Sequence, residues 1–119
     1  MTTDEQLRLA ESWLTVQRNW WASDSIDRLC HEAPLDAWPI ILRMVELADD
    51  DELLESIGAG PLEDLLEKHA VMFLDDIESR VARDARFRKA LSSVWLSERQ
   101  SADAKRLLEL GCQFRGTEA

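Results

Sequence analysis

At 119 residues, with 45% apolar and 32% charged side chains, the chain is sized for one domain that buries roughly two-thirds of its unfolded surface. No stretch approaches the roughly 18 apolar residues of a membrane span, and "MTTDEQLRLAES" lacks the basic start and apolar run of a secretory signal. The net charge of −10 argues against direct nucleic-acid binding, and the ordinary apolar fraction argues against disorder.

Taken in chain order, the pattern is helical throughout, and the fold expected is all-α: a compact bundle of about six or seven helices in a single domain over residues 1–119. Thr3-x-x-Gln6 reads as a capping box opening a helix that runs to about Trp21. On a wheel of about 100° per residue, Leu7, Ala10, Leu14 and Trp21 fall on one flank, and Leu9, Trp13, Val16 and Trp20 on the other. That arc covers about half the circumference, more than the ~100° a surface helix gives to a core. Either the helix is central to the bundle, the preferred reading, or the Trp13/Trp20 flank is presented to a partner. A short helix is expected over Ser25–His31, and another from Asp36, with Pro39 in its first turn and Trp38, Leu42 and Val45 as its stripe. Asp50 or Asp51 starts a brief helix through Leu53, Leu54 and Ile57.

The stretch "ESIGAGPLEDLLEKH" then reads as a corner between helices. Gly58 takes the left-handed C′ position, Gly60 the N-cap and Pro61 the first helical position. It does not read as a phosphate loop. Glu63 and Asp64 occupy the first turn, no strand precedes the glycines, and no Gly-Lys-Ser/Thr follows. A long helix is expected from Pro61, with Leu62, Leu65, Leu66, His69, Phe73 and Ile77 on one face. Asp84 caps a helix carrying Phe87, Leu91, Val94 and Trp95, and a last helix holds Ala104, Leu107 and Leu108 and stops at Gly111. The tail "QFRGTEA" is read as frayed apart from Phe114.

Charge is unevenly distributed. Residues 1–67 carry 16 acidic and 4 basic side chains, and residues 68–119 carry 8 acidic and 10 basic. Between Arg43 and Lys68 stand Glu46, Asp49, Asp50, Asp51, Glu52, Glu55, Glu63, Asp64 and Glu67 with no cation among them, while Arg80, Arg83, Arg86, Arg88 and Lys89 crowd ten positions downstream. With the corner bending the chain, these carboxylates are expected close in space. Like charges so gathered repel, and a basic partner would relieve them.

Chemistry-bearing motifs are sparse. His31 and His69 form no zinc or di-iron spacing, "DDDELLES" matches a calcium loop only at its start, and His69 sits on an apolar stripe as a core histidine would. No cofactor and no metal is therefore expected. Cys30 and Cys112 fit no C-x-x-C or disulfide framework and read as free buried thiols of a cytoplasmic protein, with a single long-range bridge between them as the alternative.

"GAGPLEDLL", with Pro34 and Trp38 upstream and "RDARFRKALSSVW" downstream, resembles a family of small bacterial domains of unknown function over roughly residues 34–95. Its most specific piece is Ala59-Gly60-Pro61-Leu62-Glu63-Asp64-Leu65-Leu66. The resemblance implies a compact helical domain and assigns no activity, cofactor or site residue. The functional expectation therefore comes from the residues: a non-catalytic acidic module that binds a basic protein through Glu46, Asp49, Asp50, Asp51, Glu52, Glu55, Glu63, Asp64 and Trp20. Its preferred form is a toxin-neutralising immunity protein or similar small inhibitor, the partner being a toxin or nuclease. A DNA-mimic inhibitor ranks second, a housekeeping adaptor or subunit third, and an enzyme last; neither membrane nor direct nucleic-acid binding is expected.

Overall fold

The computed structural model describes residues 2–15 and 20–114, and over these the protein is a bundle of short helices. Helix α1 (Thr3–Thr15) opens on a reciprocal cap one residue earlier than expected. Glu5 N–H donates to Thr2 Oγ1 at 3.1 Å, and Thr2 N–H returns a bond to Glu5 Oε1 at 3.0 Å. After α2 (Trp20–Glu32), α3 (Pro34–Leu47) starts at Pro34 rather than at Asp36. The proline ring presets the helical φ and lacks only an N–H that has no partner there, so Ala33 serves as N-cap and Asp36 falls in the first turn. Pro39 lies inside the helix.

The expected corner at Gly58–Pro61 is absent. Helix α4 (Asp51–Ile57), a π turn (Gly58–Leu62) and α5 (Glu63–His69) follow one another without a break. Gly58 is right-handed, at φ −63° and ψ −46°, and Glu63 N–H reaches back five residues to the Gly58 carbonyl. Pro61 explains the widened turn. It has no N–H to offer Ile57, and its ring would strike that carbonyl in a regular helix. Gly58 is required by space: a Cβ there would lie 1.8 Å from the Ala90 carbonyl oxygen, so the helix formed by Ala85–Leu91 packs directly on the rod.

The long helix expected beyond Pro61 is interrupted after His69. Ala70–Met72 form a 3-10 turn, and a separate helix, α6 (Leu74–Arg83), follows. Asp84 caps α7 (Ala85–Leu91), accepting from the N–H groups of Arg86 at 3.0 Å and Phe87 at 3.2 Å. The helix stops at Leu91, so Trp95 belongs to a two-residue strand, β1 (Trp95–Leu96). Helix α8 (Ala102–Leu110) starts on Ser101 and closes at Gly111, which has φ 134°, a value that only glycine tolerates freely. The chain then pairs β2 (Gln113–Phe114) in parallel with β1, Trp95 beside Gln113 and Leu96 beside Phe114. This pair is the only strand structure among the described residues, and the fold is all-α.

The core forms around α3. Trp38 stacks on Phe73 at 4.6 Å between ring centroids and meets the edge of Phe87 at 6.1 Å, contacts worth about 0.5–1.5 kcal/mol each beyond simple burial. Its indole Nε1–H donates to Asp76 at 2.8 Å, and Arg80 holds the same carboxylate at 3.1 Å. Ile40, Ile41 and Met44 continue the buried face toward Ile57, Leu62, Leu65, Ile77, Leu91 and Leu107. Helix α1 buries Leu9 and Ala10 against this core, with Trp13 and Leu14 half-buried beside them.

Candidate functional site

The acidic segment begins where α3 hands over to α4. Asp50 caps α4, its Oδ1 accepting from Leu53 N–H at 2.8 Å. Asp51 and Glu52 follow in the first turn, where the positive end of the helix dipole favours them. The other side of the corner is fastened by Arg86 from α7. Its Nη1 donates to the carbonyls of Ala48 at 2.8 Å, Glu46 at 2.9 Å and Val45 at 3.4 Å, groups that the end of α3 leaves without helical partners. Asp49, Asp51 and Glu52 are exposed and make no ion pair among the described residues. Glu46 is exposed and pairs with Arg43 at 3.3 Å.

The remaining acidic candidates are not part of this group. Because α4 runs straight through the π turn into α5, Asp64 stands about 18 Å further along the axis than Glu52, at about 1.5 Å per residue. Glu55 is paired with Lys89 of α7 at 3.1 Å. Glu63 is only 9% exposed and accepts the Trp95 N–H at 2.7 Å. One turn on, Glu67 accepts both the N–H and the hydroxyl of Ser97 at 2.9 Å. Glu63 and Glu67 thus satisfy alternate N–H groups in and just after β1, a structural duty that the acidic count concealed. Four of the five basic residues that looked like a separate block are spent the same way: Arg86 on the α3 terminus, Lys89 on Glu55, Arg80 on Asp76 and Arg88 on the Val81 carbonyl at 2.7 Å. Trp20 lies outside the residues whose side chains are described.

Asp64 is half-buried at the seam between α5 and α2. Burial pushes its carboxyl above the usual range, and the nearby Asp27, which shares a hydrogen bond with it, pushes the same way against the opposing pull of His31. His69 is a satisfied histidine, its Nε2–H donating to the His31 carbonyl at 3.1 Å. Cys30 lies in the same seam, donating to the Pro61 carbonyl at 3.4 Å, and Cys112 is buried near Glu63. Both thiols are free, and burial pushes each up to about 12, which keeps them protonated and inert at neutral pH. Among the described residues no group of three or more His, Cys, Asp or Glu side chains is placed to hold a metal ion, and no helix is long and apolar enough to cross a membrane.

Two surface features are not evident from the sequence pattern. Trp95 is 44% exposed, because the strand that replaces the expected helix turns Leu96 inward and Trp95 outward. A cleft of about 320 Å³ lies between α5 and α8. Its signal in the sequence is faint: the helix-ending "HAVMF" run, where Val71 and Met72 continue an apolar pattern that the 3-10 turn rotates into solvent.

No curated protein and no solved structure matches the chain. A family model does, and the segment carrying "GAGPLEDLL" lies within the match. Matched over residues 11–110, the chain belongs to a family of unknown function, DUF6869.

Proposed function

We propose that this protein is a non-catalytic acidic module that binds a basic protein, in its most concrete form a toxin-neutralising immunity protein or similar small inhibitor acting in the cytoplasm. The observation that carries this reading is the corner between α3 and α4. There Asp49, Asp51 and Glu52 are exposed and without ion pairs among the described residues, on backbone pinned by Arg86 from one side and by the Asp50 cap from the other. Charges presented on a held backbone lose little entropy when a partner arrives, and three of them together steer a cationic surface toward the site. The free, buried thiols fit a reducing compartment. A phosphate-like row of carboxylates, which a DNA mimic needs, is less well supported, since Glu63 is buried against the Trp95 N–H and Glu67 is engaged by Ser97 along the same rod.

Affinity capture from the native host tests the reading. Wild-type protein should retain a basic protein at low salt, and the Asp49→Lys/Asp51→Lys/Glu52→Lys variant should lose it while staying folded, melting only slightly lower because two of its lysines face the positive end of α4. Retention that ignores the three reversals would overturn the assignment of the corner.

A further inference from the structure

The cleft between α5 and α8 has an apolar floor and an acidic rim. Leu66, Leu96 and Leu107 line it and are themselves buried. Around it stand Glu67, Glu98 and Asp103, with Lys68 as the one cation of the lining. Two of the carboxylates are fixed in place. Glu67 is held by Ser97, and Glu98 accepts from the N–H groups of Gln100 at 2.6 Å and Ser101 at 3.0 Å and from the Ser101 hydroxyl at 2.6 Å. Those bonds from Ser101 and Gln100 hold Glu98 below the usual carboxylate range, so it stays ionised. At the lip, Val71 and its neighbour Met72 are 68% and 46% exposed.

We propose that this cleft is a second contact surface for the basic protein partner, seating an arginine or lysine of that partner while an adjacent apolar residue packs on Val71 and Met72. The proposal rests on the reading of a basic partner under Proposed function. A long cationic side chain fits the cleft's two halves, its aliphatic stem on the leucine floor and its charged head among the carboxylates. The volume stands at the lower end of ligand pockets, about 300–1,000 Å³, and is enough for one long side chain. Charge complementarity selects the sign, three anions against one cation, and the exposed apolar lip selects a protein segment over a free amine.

Peptides selected from a random displayed library on the full chain provide the probe. The selection should enrich sequences with Arg or Lys beside an apolar residue. Titrated into isotope-labelled protein, a selected peptide should shift amides of residues 66–72 and 96–107. The Asp103→Asn/Val71→Ser variant should weaken that peptide roughly tenfold or more, and Lys68→Gln, which removes the opposing cation, should strengthen it. Selection of no peptide, or of peptides without cations, overturns the proposal. Shifts confined to residues 49–52 overturn the cleft while leaving the acidic corner standing. Cleft binding joined to partner capture that ignores the corner reversals supports the cleft and overturns the corner.

Discussion

A Cβ at Gly58 would fall 1.8 Å from a backbone oxygen of α7, whereas one at Gly60, two residues on, meets nothing within 4 Å. The two glycines of one motif therefore have opposite mutational consequences. Gly58→Ala must push α7 off the rod and should cost about 3 kcal/mol or more. Gly60→Ala only restrains the unfolded chain and should stabilise by about 0.5–1 kcal/mol. Thermal melts of the pair read both signs, and equal effects would contradict the close packing at Gly58. Asp64 supports a second test at this scale. Its folded-state carboxyl is raised by burial and by Asp27, so its stabilising contribution is complete below the unfolded value of about 3.9 and is lost as pH rises through the raised value. Asp64→Asn should accordingly raise the melting temperature at pH 7, and the gain should shrink toward zero near pH 3. A variant that melts lower at pH 7 would contradict the like-charge strain at the seam.

Among the elements, the caps at Asp50, Asp84 and Gly111 were readable from local residue types, because capping chemistry operates within one turn. The continuity of α4 into α5 was not. Gly-Ala-Gly-Pro is ordinary punctuation between helices, and the packing of α7 on Gly58, which accompanies the unbroken rod, comes from far downstream in the chain. Arg86 was equally hidden, since its acceptors lie on a different helix and are backbone atoms. Removing it should expose its worth. Arg86→Ala should destabilise by about 1.5–3 kcal/mol, the range for hydrogen bonds to a charged group, by freeing the end of α3. Arg86→Lys should recover part of the loss, because all three carbonyls converge on the single nitrogen Nη1, and one ammonium placed there can donate to them in turn. No rescue at all by lysine in denaturant titrations would contradict the convergence of these carbonyls on one donor nitrogen.

Over the whole molecule, the charge asymmetry so evident along the sequence is partly dissolved by folding. Lys89 lies against Glu55, Arg86 covers the α3 terminus, and Glu63 is drawn inward by Trp95. Linear charge counts cannot reveal such pairings, which is why nine carboxylates reduce to a smaller exposed corner and a separate acidic cleft. Asp50 belongs to that corner by position but serves as a cap, so reversing it would remove a capping hydrogen bond along with the charge; Asp49, Asp51 and Glu52 are the residues to change, at the smaller cost of two cations facing the α4 dipole. The central claim is that this corner steers a basic partner, and its most direct test is the association rate of the captured partner measured across ionic strength. Steering predicts a rate that falls steeply as the Debye length shortens from about 10 Å at 0.1 M salt to 3 Å at 1 M, and a triple reversal that lowers the rate far more than it raises dissociation. An association rate indifferent to both salt and the reversals would contradict it and leave the corner a solvated surface.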